Sequence, residues 1–445
     1  MAMLILGNKF SEKLKPQKGV IAMTKAKVQN SKQQIKLVFG ERPEGSFDVE
    51  RLVEELGLEL QALTTSAGVL IMTGIMGQER DCLAGKRYDR TTSTDRWGKQ
   101  KGYVIAGGQK APVNRPRLRD KNGKEVPLSS YERFQESSQR TQAVFQRLVS
   151  GLSCRNYPQA IETIREGYGI SKSVVNREMV DATSNRLKEL CERDLSEYNF
   201  CTLIIDGVSL GDSVHIVALG VETTGKKAMM GFREGSTENA DVCIALFEDM
   251  VQRGLKTENP VLVVIDGSKA LRSAVDKFFG DRASVQRCQV HKRRNVKKHL
   301  PDKYHAEYDR KMLAAYKMTS YADARQALES VARELERLNE DAAGSLREGM
   351  EETLTLHRLE IPRLLRTSFS STNLIESAFS RGRTVMRNVK RWMNSEQKHR
   401  WIATALLEAE KKFQKVQGHR SIAILVNALE LEQKKRKLES NRKVA

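Results

Sequence analysis

The sequence predicts an α/β core interrupted by an all-α insertion and preceded by a mainly helical N-terminal region that contains a small β-rich module. Three observations lead there. After Glu197 the alphabet changes to β-branched runs, giving three successive strands at FCTLIIDG (200–207), HIVALGVETT (215–224) and KAMMGFREG (227–235). Apolar Val242, Ala245, Leu246 and Met250 then recur near the 3.6-residue helical period. They precede the strand PVLVVIDG (260–267), a helix over Lys269 to Phe279 and the strand-like SVQRCQVH. Beyond these, roughly from Lys292 to Arg366, periodic segments such as YADARQALESVARELERLNE read as helices.

A chain of 445 residues is too long for one small core, so two or three domains and tails are expected. Its 76 Lys+Arg against 56 Asp+Glu give a net charge of +20, a field that favours phosphate polyanions and makes nucleic acid the leading partner. The longest apolar runs are strand-sized, which excludes a bilayer-spanning helix. The opening MAMLILGNKF lacks the apolar length and cleavage site of a signal peptide. Six scattered cysteines form no disulfide-like framework and suit a reducing cytoplasm. Residues 1–40 hold eight lysines and one glutamate, so 1–45 reads as a flexible basic arm, within which Met23 is an alternative start.

Residues 46–197 read as an N-terminal DNA-binding region. Leu52, Val53, Leu56, Leu58 and Leu60 mark a helix from Phe47 to about Met76. A basic β-rich module follows over about 86–130, with Asn122-Gly123 as a hairpin turn. Over 158–190, one helix ends at Gly167 to Gly169 and another starts after Ser171, whose hydroxyl can cap it. This is a helix-turn-helix pattern, although Arg165 stands where a small residue is normally packed, and two ordinary core helices are the alternative. In the helix-turn-helix reading Lys172, Ser173, Asn176 and Arg177 face the major groove.

The order β-β-β-α-β-α-β is that of the RNase H-like fold, in which the first and fourth strands are neighbours. Asp206 and Asp266, at the ends of those strands, are then brought together. Paired carboxylates beside a basic surface can hold two divalent metals, one activating the attacking oxygen and one stabilising the leaving oxygen of a phosphodiester. Hard oxygen ligands suit Mg²⁺, with Mn²⁺ as a substitute. A single strand-Asp-Gly would be ordinary turn chemistry, but two at matching places in this order favour the metal site. In SFSSTNLIESAFSRGR (368–383), Glu376 has a rival role: three residues after Asn373, it can complete a capping box.

From about Ser153 to Phe413 the chain resembles the Mutator-type transposases of bacterial insertion sequences, DDE enzymes with an RNase H-like core. The marks are GLSCRNY, GYGISKSVVNR, LIIDG, VVIDGSKALRSAV, VQRCQVHKRRNV, STNLIES and VKRWM, whose order and spacing are together specific. By position, the resemblance makes Asp206, Asp266 and Glu376 the metal-binding catalytic triad, with Glu376 supplied by a C-terminal helix after the insertion. Arg381 and Arg383 would then clamp phosphates. Cys288 and His291 lack a second ligand pair for structural zinc. The family shares this CxxH mark, which implies that they support the active site. Lys292, Arg293, Arg294, Lys297 and Lys298 would add phosphate contacts or form a solvated basic face. Trp392 would stack on an unpaired base or pack in the core.

The expected layout is a core in two parts, 198–291 and 367–415, separated by the helical insertion 292–366 and followed by a basic tail, 416–445. The expected function is a prokaryotic transposase, cytoplasmic and nucleoid-associated, acting on double-stranded DNA as a homodimer or higher oligomer. It would bind terminal inverted repeats, free a 3′-OH and join it to target DNA, by a copy-out and paste-in route if it follows the family. A general RNase H-like nuclease is the enzymatic alternative. The other is an inactive, transposase-derived repressor, against which three intact acids argue.

Overall fold

The computed structural model describes residues 29–31, 34–36, 49–85, 92–106, 109–136, 145–150, 171–387 and 389–444. They fall into two compact units, Met1–Leu148 with Leu152–Met179, and Val149–Gly151 with Val180–Ala445. The first helix and turn of the expected helix-turn-helix lie outside the described residues, as does the basic arm apart from two short antiparallel strands, β1 (Gln29–Ser31) and β2 (Gln34–Lys36).

In the first unit the long helix α1 (Val49–Ala84) runs eight residues past the expected end at Met76. Its polar last turns hid the continuation, because only Met76 and Ala84 there are fully buried. They pack against Val104, Ala111, Val113 and Leu118 of a three-stranded antiparallel sheet, β3 (Thr94–Ala106), β4 (Gln109–Asp120) and β5 (Glu125–Val126). The Asn122-Gly123 turn joins β4 to β5, with Gly123 at φ +80°, where a side chain would be strained. Helix α2 (Ser129–Phe134) is capped from a distance: the Glu79 carboxylate on α1 accepts the N–H groups of Ser129 (2.8 Å) and Ser130 (3.0 Å). Helix α3 (Lys172–Cys191) begins where expected, and the Ser171 hydroxyl accepts the Val174 N–H.

The second unit is built on a five-stranded sheet in the order β10-β9-β6-β7-β8. Strands β6 (Phe200–Leu210), β7 (Ser213–Glu222) and β8 (Lys227–Glu234) form an antiparallel meander. Helix α4 (Ala240–Gln252) leads to β9 (Val261–Ile265), parallel to β6, and α5 (Lys269–Phe279) leads to β10 (Ala283–Arg287), parallel to β9. Burial on both faces explains why these strands are continuously apolar. Leu203, Ile205, Val263 and Ile265 pack with Phe247, Met250 and Phe279 of α4 and α5. The alternate residues Ile204, Leu262 and Val264 face the opposite layer.

That opposite layer comes from the end of the chain: α12 (Arg363–Phe369), α13 (Asn373–Met386), α14 (Ser395–Glu410) and α15 (Ile422–Val444), after six helices between β10 and α12. The first five of these, α6 (Gln289–Lys298), α7 (Asp302–Lys317), α8 (Tyr321–Glu336), α9 (Glu340–Arg347) and α10 (Met350–Thr353), gather around Met312, Leu328, Leu335 and Leu346. A short α11 (Thr355–Arg358) follows. The expected basic tail needs correcting. Within 416–445, Ile422, Leu425 and Leu429 form a buried stripe of α15, and its Arg436 donates to the Ala283 carbonyl at 2.8 Å. The polybasic KKRK had masked that short apolar stripe.

Candidate active site

The parallel register pairs Thr202 with Leu262 and Ile204 with Val264, so Asp206 and Asp266 lie level on neighbouring strands where their shared ladder has ended. One expectation changes in detail. Asp206 does not end its strand; β6 continues to Leu210 because its antiparallel partner β7 runs on, with Asp206 opposite Val217.

Asp206 is 3% exposed. Burial pushes its carboxyl up to about 6, with Asp266 adding repulsion, against the opposing pull of His291, Thr372 and the Gly207 N–H. Asp266 is held differently. Its Oδ2 accepts the Thr237 hydroxyl at 3.0 Å and its Oδ1 accepts the Ser268 N–H at 2.9 Å. Ser268 is also the N-cap of α5, so the start of that helix fixes the acid's orientation. Arg287 closes the loop from below, donating to the Gly267 carbonyl at 2.8 Å and to the Glu348 carbonyl at 3.0 Å. Gly267 is at φ +108°, and a Cβ there would stand 2.6 Å from Arg287 Nε.

Glu376 sits in the first turn of α13, whose N-cap is Thr372 with no side-chain cap bond. The capping box does not form. The carboxylate instead accepts from Arg294 Nη1 at 3.2 Å and lies 4.0 Å from His291 Nε2. Asp206, His291 and Glu376 offer ligand atoms that all lie within 4.8 Å of one another. His291 is raised to about 9, first by the adjacent Cys288 thiol and then by Asp206 and Asp266, so it is a cation among the acids at neutral pH. Cys288 is fully buried at the N-cap of α6, and its sulfur accepts the His291 N–H (3.5 Å) and the Thr372 hydroxyl (3.6 Å). Burial raises this thiol, but the His291 ring and these hydrogen bonds outweigh it and bring it below its ordinary value.

The expected basic contacts separate into groups. Arg294, Arg381 and Arg383 are exposed, the last with its guanidinium 5.2 Å from the Phe379 ring centroid. Arg293 and Lys297 are half-buried in ion pairs to Asp309, at 2.8 and 3.2 Å. Lys292 is a correction. It is 2% exposed and spends its ammonium on the Ser345 and Glu348 carbonyls, each at 2.6 Å, which leaves it no surface for a phosphate. Trp392 is half-buried against the core below β6, and a Cβ on Gly211 would lie 3.0 Å from its ring; core packing accounts for it. On α3, Lys172, Ser173, Asn176 and Arg177 are all exposed, whereas Val175, Glu178 and Met179 are buried.

Thr237, Ser268, Thr372 and Arg287 were not singled out from the sequence. Only Ser268 carried a local signal, as an N-cap candidate one residue after Asp266-Gly267.

Comparison with known proteins gives the family. Residues 50–416 match the family described as "Transposase, Mutator family". The transposase for insertion sequence element IS256 in transposon Tn4001 of Staphylococcus aureus is 28% identical over 349 residues, covering 74% of this chain and 85% of that protein. The transposase for IS905 of Lactococcus lactis is 27% identical over 299 residues, 64% of this chain and 73% of that one. The transposase for IS6120 of Mycolicibacterium smegmatis is 30% identical over 164 residues, 35% of this chain and 50% of that one. With a family match spanning most of its length, this chain belongs to the Mutator family of transposases.

Proposed function

We propose that the chain is the transposase of an insertion sequence, a DDE enzyme with an RNase H-like core. It binds the terminal inverted repeats, cleaves to free a 3′-OH and transfers that end to target DNA. The observation that carries this reading is that Glu376 brings its carboxylate within 4.8 Å of Asp206, while Asp266, two residues past the Ile204–Val264 pair on the neighbouring strand, is near enough to repel Asp206.

Asp206, Asp266 and Glu376 are the residues that would hold two Mg²⁺ ions, or Mn²⁺ as a substitute. The donor set fits: carboxylate oxygens suit hard cations, and the desolvated charge of Asp206 gains most from one. Bound there, the ions would activate the attacking oxygen and stabilise the leaving oxygen of a phosphodiester. The protein's own groups do the rest. Thr237 and Ser268 fix the Asp266 carboxylate, and Arg294 can exchange Glu376 for a phosphate oxygen. The exposed arginines Arg381 and Arg383 of α13 supply positive charge on the same helix as Glu376. Water and then the DNA 3′-OH are the successive nucleophiles, so no covalent protein–DNA intermediate forms. The four exposed polar residues of α3 read the terminal repeat in the major groove.

The test is a strand-transfer assay with the element's own ends and a plasmid target. Transposition gives joined products that carry the terminal repeat at new positions. Cut fragments alone, with no joined product, would favour a general nuclease.

A further inference from the structure

Outside the acids just described, β7, β8 and α14 bring His215, Glu234 and His399 together. His215 and Glu234 are direct cross-strand neighbours in the antiparallel register, so both side chains leave the same face of the sheet. Helix α14 lies over that face and lowers His399 onto the pair: its Nε2 is 2.9 Å from Glu234 Oε2, and the two imidazole rings meet edge to face at 5.6 Å. Ligand atoms from all three residues lie within 4.8 Å of one another.

His215 is the telling member. It is 0% exposed, and among the described residues neither ring nitrogen has a hydrogen-bond partner. A buried imidazole left with two unmatched polar atoms is costly unless something else takes them up. Burial also pushes its pKa down to about 4, so the ring is neutral and its lone pair free. The Glu234 carboxylate is held ionised, first by the Ser213 hydroxyl. The nearby Lys398 ammonium is engaged by Asp212 and Ser213.

We propose that His215, Glu234 and His399 form a second metal site that takes one divalent transition ion of the zinc class, staples α14 to the β7–β8 edge, and is independent of the three acids. Two imidazoles and one carboxylate are a borderline donor set that prefers Zn²⁺ or Co²⁺ to Mg²⁺. Bonds of about 2.0–2.1 Å set neighbouring tetrahedral ligand atoms roughly 3.4 Å apart, so shifts of about 1 Å in the two half-exposed side chains suffice. Those openings leave room for a water as fourth ligand. The site lies one strand over from Asp206 and two residues nearer the hairpin tip than Val217, its partner.

The experiment uses the full chain carrying Asp206→Asn, Asp266→Asn and Glu376→Gln, so that those acids do not contribute. After chelator treatment it is titrated with Co²⁺ followed by visible absorption, then with Zn²⁺ as competitor. One Co²⁺ per chain, displaced by Zn²⁺, with a higher Tm in the loaded protein, is expected. Adding His399→Gln, at a half-exposed position that tolerates change, should weaken binding by more than about 100-fold. Glu234→Gln should do the same, while Cys288→Ala should leave it unchanged. No stoichiometric binding, or binding unaffected by His399→Gln, would overturn the proposal and leave a packed ring cluster with one hydrogen bond.

Discussion

Asp206→Asn should make the metal-free protein more stable at neutral pH. The buried carboxyl stands at about 6 against an ordinary 3.8, a net figure that already contains the attraction of His291. About two pH units at about 1.4 kcal/mol each give roughly 3 kcal/mol as an upper bound on the cost of its charge. Because the folded pKa is the higher one, the native state binds more protons between pH 4 and 6. Stability from this group is therefore intact below about pH 4, falls as pH rises through 6, and the full cost stands at pH 7.5. Asparagine keeps the shape without the charge. Urea unfolding in EDTA should show the variant about 1–3 kcal/mol more stable than the parent at pH 7.5, with the difference shrinking towards zero near pH 4. Mg²⁺ should stabilise the parent and leave the variant unmoved. A variant equal to or weaker than the parent at pH 7.5 would refute the claim that this acid is strained for want of a cation.

Other expectations follow from the same geometry. Lys292→Met should cost about 3 kcal/mol of stability, because two buried carbonyls lose their donor, and should leave the salt dependence of DNA binding unchanged. Arg294→Ala removes an exposed competitor for Glu376, worth no more than about 1 kcal/mol. The Mg²⁺ concentration for half-maximal cleavage should therefore fall by up to about fivefold. Asn176→Ala or Arg177→Ala should cut discrimination between terminal-repeat and scrambled DNA by about 1–3 kcal/mol, measured by competition binding at fixed salt. An equal loss on both DNAs would mean that the two side chains contact only phosphate.

The sheet was legible because its strands are buried on both faces and are written as uninterrupted apolar runs. Asp206 and Asp266 stood out because an Asp-Gly pair follows such a run in each, although only Asp266 stands where its strand ends. Glu376 became legible only through the STNLIES resemblance, since its local spacing equally described a capping box that does not form. Lys292 was misread for a physical reason. Helix α6 buries Gln289, Lys292 and Val296, a face with one apolar residue in three, so no periodicity announces which cation points inward. The α15 stripe failed similarly, short and followed at once by lysines. Thr237, Thr372, His215, Glu234 and His399 act only through partners far away in sequence, and nothing in their neighbours foretells those contacts.

The central claim is that Asp206, Asp266 and Glu376 act together on a metal-dependent cut at the element's ends. Its most direct test is cleavage of terminal-repeat DNA by Asp206→Asn, Asp266→Asn and Glu376→Gln in Mg²⁺ and in Mn²⁺, with end binding measured on the same samples. The account predicts parental binding in all three and cleavage below about 1% of the parental rate. Glu376→Gln is the deciding member, because its carboxylate is the one that the resting structure gives to Arg294. Cleavage by that variant at more than about a tenth of the parental rate would contradict the account and reduce Glu376 to a partner of Arg294.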